Sequence, residues 1–238
     1  MPGISPLQDS IGVVSLSVEV NGQRLAASAE LISVAVQRAA NTVPSARLVF
    51  ADGDMPDESF PLSDAADFKP GAKLKIKAGY GQQEAVIFEG IVLRHGLRVS
   101  GDNDARLVVD CRDAAVKMTV GRRNANHIDK TDSDTISALI EAHGLTADVE
   151  ATAVTHRELA QHFCSDWDFM LARAEALGLL VIATDGSVAV KAPTADGDPV
   201  LTVTYGVDLI SFDGDVDARY QYASATAVSW DPKAQAAL

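Results

Sequence analysis

Between residues 11 and 111 apolar and polar side chains alternate in short runs separated by turn signals. Val14, Leu16, Val18 and Val20 alternate with polar or small residues, and Asn21-Gly22 supplies the tight turn of a hairpin over 11–25. Residues 30–38 alternate with one slip at Ile32-Ser33, which predicts a bulge. The same pattern recurs at 46–50, 72–79, 86–95, 97–99 and 105–111. Residues 51–69 interrupt it with Asp52, Asp54, Pro56, Asp57, Glu58 and Pro61, an acidic, exposed excursion that Pro70-Gly71 turns back. Seven or so short strands of this kind predict a small barrel or sandwich over residues 1–119.

After Thr119 the period changes. Thr131 and Asp134 form a T-x-x-D cap, Ile136, Leu139, Ile140 and His143 share a helical face, and Gly144 ends it. Thr155 with Glu158 reads as a capping box over a short helix near 156–163 that carries Leu159 and Phe163. A third helix, near 166–177, has Ser165 as N-cap, Asp168 as its capping partner and Gly178 as its stop. Its buried stripe is Trp167, Met170, Leu171, Ala174 and Leu177. Asp185-Gly186 then turns a hairpin over 179–191. Residues 120–193 are thus a compact α+β insertion. After a Pro/Gly/Asp linker at 193–199, strands are expected at 200–205, 209–212 and 218–230, followed by an unanchored tail.

Charge narrows the partners. With 33 acidic and 20 basic residues the net charge is −13, which repels phosphate backbones and argues against nucleic acid as a partner. Aromatic residues make up only 5% of the chain, so Ala, Val, Leu and Ile must fill the core. Cys111 and Cys164 lie far apart and near no ligand-spaced cysteine, and read as two reduced thiols. No apolar run is long enough to span a bilayer and no signal-peptide pattern opens the chain, so cytoplasmic synthesis without stable membrane association is expected.

Three clusters invite a chemical reading. His156, His162 and Asp166, with Cys164 and Asp168 nearby, suggest the site of a metal-dependent hydrolase, but their spacing matches no one-face pattern such as H-E-x-x-H. Asp166 and Asp168 are better explained as first-turn residues facing a helix dipole. Asp213, Asp215 and Asp217 begin like a calcium loop, yet Ala218 and Ser224 stand where glycine and glutamate are required. Gly79 and Gly81 precede no helix, so no phosphate loop is expected. No catalytic residue, metal or cofactor emerges. The remaining feature is the row Lys73, Lys75 and Lys77 on one face of a strand, read either as edge protection or as a docking surface for an acidic partner ring.

Several stretches resemble the hub part of the VgrG and late-control-protein D family of contractile injection systems. They are FKPGAKLKIKAGY (68–80), IFEGIVLRHGL (87–97), LVVDCRDAAVKMTVGRR (107–123), TDSDTISALIEAHGL (131–145) and HRELAQHFCSDWDFMLARAEALGLLV (156–181). SFDGDVDARYQYASATAVSWDP (211–232) is also similar, and SDWDF followed by a helix and glycine is the most specific.

The resemblance implies a β-rich α+β fold: a tube-protein-like β-barrel at 1–119, the α+β insertion at 120–193, and strands of a second barrel at 194–238. It implies a non-enzymatic homotrimer that joins the hexameric inner tube to a central spike, beside other baseplate subunits and effector cargo. Such a hub assembles in the cytoplasm and leaves with the tube of a phage tail, type VI apparatus or extracellular injection particle. Family members continue well past the position of Trp230, so the chain reads as a fragment or an abbreviated hub without a full second barrel. A standalone small-ligand module ranks below both the hub and the hydrolase, because no aromatic-lined pocket is visible in the barrel sequence.

Overall fold

The structure is a computed structural model that describes residues 13–26, 28–81, 83–101, 104–194, 197–209, 211–219, 222–224 and 226–237. Residues 11–12, 210, 220–221 and 225 of the expected strands lie outside the described residues, as do 1–12 of the N-terminus and parts of the loop at 101–104 and the linker at 193–199. The chain divides into two compact units, residues 10–197 and a smaller one that takes in 198–238.

The larger unit begins with seven strands: β1 (Val14–Val20), β2 (Gln23–Arg24), β3 (Leu31–Gln37), β4 (Ser45–Asp52), β5 (Lys73–Tyr80), β6 (Gln83–Val99) and β7 (Ala105–Arg112). They form one antiparallel sheet in the order β2-β1-β5-β6-β7-β4-β3. Alternation fixes which face turns inward: Val18 and Val20 of β1 sit opposite Ile76 and Leu74 of β5, and Leu48 and Phe50 of β4 opposite Val109 and Leu107 of β7. These residues join Phe88, Val92 and Cys111 in a single buried cluster, against which Leu31, Val34 and Val36 of the far strand β3 also pack. The sheet therefore curls until its two ends share a core. It stays open, because no hydrogen-bonded ladder joins β1 or β2 to β3 among the described residues.

The expected bulge at Ile32-Ser33 is present as a register shift between Leu31 and Ser33. The runs 86–95 and 97–99 prove to be one strand, β6, with a second irregularity between Val92 and Arg94. Gly90 is required there: a Cβ would lie 2.3 Å from the Arg112 carbonyl oxygen and 2.6 Å from the Phe88 ring. The acidic excursion folds back over one end of the sheet. The Asp52 carboxylate accepts from the backbone N–H groups of Leu62 (3.0 Å) and Ser63 (2.9 Å), which holds the helical turn Pro61–Asp64. Phe68, fully buried, packs its ring against that of Phe50 in a tilted pair, 4.9 Å between centroids.

A second buried cluster starts at Ala115 and Met118 of a 3₁₀ helix, Ala114–Thr119. It continues through α1 (Asp132–Ala142), α2 (Asp166–Ala176) and the hairpin β11 (Leu180–Thr184) and β12 (Ser187–Lys191). A short strand not foreseen from the sequence, β9 (Thr146–Val149), pairs in parallel with β12. The expected helix near 156–163 does not form. Residues Thr155–Cys164 are a strand, β10, paired antiparallel with β8 (Arg123–Thr131) in a two-stranded ribbon.

Of the strands expected after residue 199, the described residues form an isolated bridge between Tyr205 and Leu209 and a short pair, β13 (Trp230–Asp231) with β14 (Ala236–Ala237). Extended chain needs a partner ladder to satisfy its backbone. Val200, Tyr205, Val207, Phe212 and Val216 remain exposed.

Within the larger unit, hydrogen bonds join the sheet to the α+β part. Asn41 holds a left-handed backbone (φ 61°). Its N–H donates to the Val181 carbonyl at 2.7 Å, and its Oδ1 accepts from the Val181 N–H at 2.8 Å. Asp185 accepts from the Arg38 guanidinium (3.0 Å) and the Glu89 N–H (2.9 Å), and Asp113 accepts from the Gly186 N–H (3.3 Å). Asn41→Gly keeps the backbone conformation and loses one acceptor, so it should cost ~1–2 kcal/mol. Asn41→Ala adds left-handed strain of ~1–2 kcal/mol to that loss. Urea unfolding of the three proteins reads the order: wild type, then glycine, then alanine.

Candidate interaction surface

The lysine row lies on the outward face of β5, between β1 and β6. Lys75 pairs with Glu89 of β6 at 2.9 Å, and Lys77 hydrogen-bonds Glu19 of β1. Glu89 holds the Lys75 ammonium above its ordinary pKa, and Lys77 holds the Glu19 carboxyl below its own. Lys73 is exposed, and its N–H donates to the Asn21 side chain. Two of the three charges thus belong to a stripe of cross-strand ion pairs.

The proposed hydrolase residues are not brought together. His156 Nε2 sits 2.7 Å from Asp132, which also accepts from Arg173 Nε at 2.6 Å. Asp166 belongs to a second group: it accepts from Arg123 Nε (2.7 Å) and Gln161 Nε2 (2.8 Å), and lies 2.8 Å from His143 Nε2. His162 is exposed on β10. The reason is electrostatic. Asp132 and Asp166 are only 1% and 7% exposed, and a buried carboxylate must be paired with cations and hydrogen-bond donors. Those donors consume the lone pairs a metal would need. Among the described residues no group of three or more His, Cys, Asp or Glu could hold a metal ion.

The two groups are built alike. Thr131 and Ser165 are N-caps whose hydroxyls accept from the N–H of Asp134 and Asp168, at 3.1 Å in both cases. Asp132 and Asp166 follow as the first helical residues, where the helix dipole favours a negative charge. Each carboxylate then gathers one histidine and one arginine. Burial pushes both carboxyls up, but their hydrogen bonds outweigh it: Arg173 and His156 hold Asp132 below its ordinary value, and Gln161, His143 and Arg123 do so for Asp166. His143, Arg123, Asp132 and Arg173 escape a reading based on sequence spacing. The available signal is the repeated [ST]-D-x-D at the start of both helices.

Neither cysteine forms a disulfide. Burial, with Asp110 beside it, pushes the Cys111 thiol up to about 12, so it is an unreactive core residue. Among the described residues no helix is long and apolar enough to cross a membrane.

A family model described as the Alg8 N-terminal domain matches residues 10–238. The chain belongs to this family. No curated protein sequence matches it. Solved structures similar to this Alg8 N-terminal domain include a 43 kDa tail protein of prophage MuSo2 from Shewanella oneidensis, at TM-score 0.57 and 10% identity, with 75% of this chain and 53% of that one covered. A tail protein from Neisseria meningitidis MC58 gives TM-score 0.58 and 14% identity, over 79% of this chain and 53% of that one. An E. coli component of the type VI secretion system, itself structurally similar to the T4 bacteriophage tail proteins gp27 and gp5, gives 0.53 and 12%, over 73% and 48%. The likeness is one of fold, and it bears out the resemblance to the hub family at that level. The chain spans about half the length of these solved structures.

Asp132→Ala leaves Arg173 and His156 facing a buried void and should cost ~3–5 kcal/mol, read by chemical denaturation at neutral pH. A carboxyl with a lowered folded pKa stabilises fully above its unfolded value near ~4, and that stability is lost as pH falls through the folded value. The unfolding free energy should therefore drop as pH falls below ~4. In Asp132→Asn that drop should be shallower, because one of the linked carboxyls is gone.

Proposed function

We propose that the chain is a structural component of a contractile injection system: the baseplate hub, a homotrimer that joins the hexameric inner tube to the central spike. One observation carries the reading. A curled seven-stranded antiparallel sheet, followed by two capped helices and a hairpin, matches phage tail proteins and a type VI component over about three quarters of the chain. That a fold is shared does not by itself fix function. The site chemistry adds support, because both acidic centres are spent on buried structural pairs.

The protein acts by shape. The outer face and rims of the curled sheet, including the strand bearing Lys73, Lys75 and Lys77, present pleated surface to neighbouring subunits and to the tube ring. A cyclic assembly needs two different complementary patches on each subunit. The trimer also contacts the spike and other baseplate subunits and carries effector cargo. It is assembled in the cytoplasm and is ejected or secreted with the tube. It performs no catalysis and needs no cofactor.

Electron microscopy of the full-length protein, purified with its tube protein, tests this. Particles with three-fold symmetry and one tube ring attached are expected. Six-fold particles, or a monomer that never associates with the tube protein, would overturn the hub reading. Elemental analysis of the same preparation should find no stoichiometric zinc, and stoichiometric zinc would reinstate the hydrolase.

A further inference from the structure

The outer face of β4, β7 and β6 reverses the sign of the rest of the chain. The register places Arg47, Asp110 and Arg94 side by side across the three strands. Val49, Val108 and Gly96 form the next row, and Ala51, Arg106 and Arg98 the one after that. Arg112 stands on the same face of β7, one step beyond Asp110, and donates to the Val43 carbonyl at 3.2 Å. Five of the twelve arginines of a chain with net charge −13 thus share one face.

Their compensation is incomplete. Asp110 lies 2.6 Å from Arg47 and 3.9 Å from Arg94, and Asp104 is 2.7 Å from Arg106. Arg98 has no ion-pair partner among the described residues, and it lies directly opposite Arg106. Like charges directly opposite one another destabilise a sheet. Between the arginine rows, which are roughly 13 Å apart along the strands, the floor is apolar: Val108 is 7% exposed and Val49 half-buried. A groove of about 420 Å³ runs there, with Arg47, Arg98 and Arg106 on its walls. Guanidinium groups around an apolar floor are suited to planar, bidentate recognition of carboxylates.

We propose that this face is a docking surface for a carboxylate-bearing extended segment, strand or loop, of another protein chain. Its apolar side chains would lie on Val49 and Val108, and its Asp or Glu residues would pair with Arg98, Arg106 and Arg94. Charge complementarity selects the occupant: a cationic face whose five arginines are matched by two aspartates among the described residues favours an acidic partner and shortens the search for it. The surface is distinct from the paired lysine stripe on β5. It stands whether or not the chain sits in a baseplate.

The test uses the full chain and an acetylated octa-glutamate peptide as probe, followed by amide and arginine Nε–H NMR shifts in low salt. Shifts should concentrate at Val49, Gly96, Arg98, Arg106 and Val108, and binding should weaken as salt rises from 50 to 200 mM. The double variant R98E/R106E should lose at least ~10-fold in affinity. R98K/R106K should retain part of it, and K130E/R157E, on exposed positions of β8 and β10, should bind as wild type. Thermal melts check that all variants fold. Equal binding by R98E/R106E, or shifts located elsewhere, would overturn the proposal. So would tighter binding of a 12-base-pair DNA duplex at the same salt, which would make the face a polyanion site. Self-association abolished by R98E/R106E without any peptide binding would assign the face to a second copy and equally overturn it.

Discussion

Two buried carboxylates set the geometry of residues 120–193. A first-turn aspartate is ordinarily exposed, free to face the helix dipole and water together. Asp132 and Asp166 are instead sealed in, so each must find its counter-charges inside the protein. The partners come from different elements: His156 from β10 and Arg173 from α2 for one, Arg123 from β8, Gln161 from β10 and His143 beyond α1 for the other. Satisfying the two charges therefore locks ribbon and helices into one arrangement. The same demand dissolves the hydrolase constellation, since it assigns His156 and Asp166 to opposite groups.

This explains what could and could not be seen in the sequence. The helices at 132–142 and 166–176 were legible because cap and stop are local chemistry, a hydroxyl at one end and a left-handed glycine at the other. Strands β1, β3, β4, β5 and β7 were legible because alternation reports a half-buried sheet, down to the bulge beside Ile32. Strand β8 was not. RNANHIDKT is mostly polar, with Ile128 and Thr131 its only strong strand formers, and its extended backbone is satisfied by pairing with β10. For β10 the T-x-x-E signal at Thr155 and Glu158 was real in sequence but had no stop behind it. The bulge between Gln161 and Cys164, with Phe163 at φ 45°, then delivers the chain into the true cap at Ser165.

The sheet illustrates a different limit. Alternation tells which side chains face inward, but not whether the first and last strands meet. Here β2 is only two residues long and β3 carries the bulge, both common ways of blunting an edge. The core closes through side chains while the backbone ladder stays open, so the architecture is barrel-like in packing and sheet-like in hydrogen bonding. That leaves strand edges available to neighbours, a property a ring-forming protein can use and a monomer must guard.

Charge placement separates guarding from docking. On β5 Lys75 and Lys77 each pair with a glutamate on a flanking strand, so two of the row's three charges are satisfied within the chain. On β6 and β7 the cross-strand neighbour of Arg98 is Arg106, and only Arg106 has an acidic partner among the described residues, Asp104. Sequence alone could not rank the two rows, because both read as basic residues alternating on a strand. Register decides between them: what sits opposite each charge, rather than how many charges there are, marks the face that is incomplete without a partner.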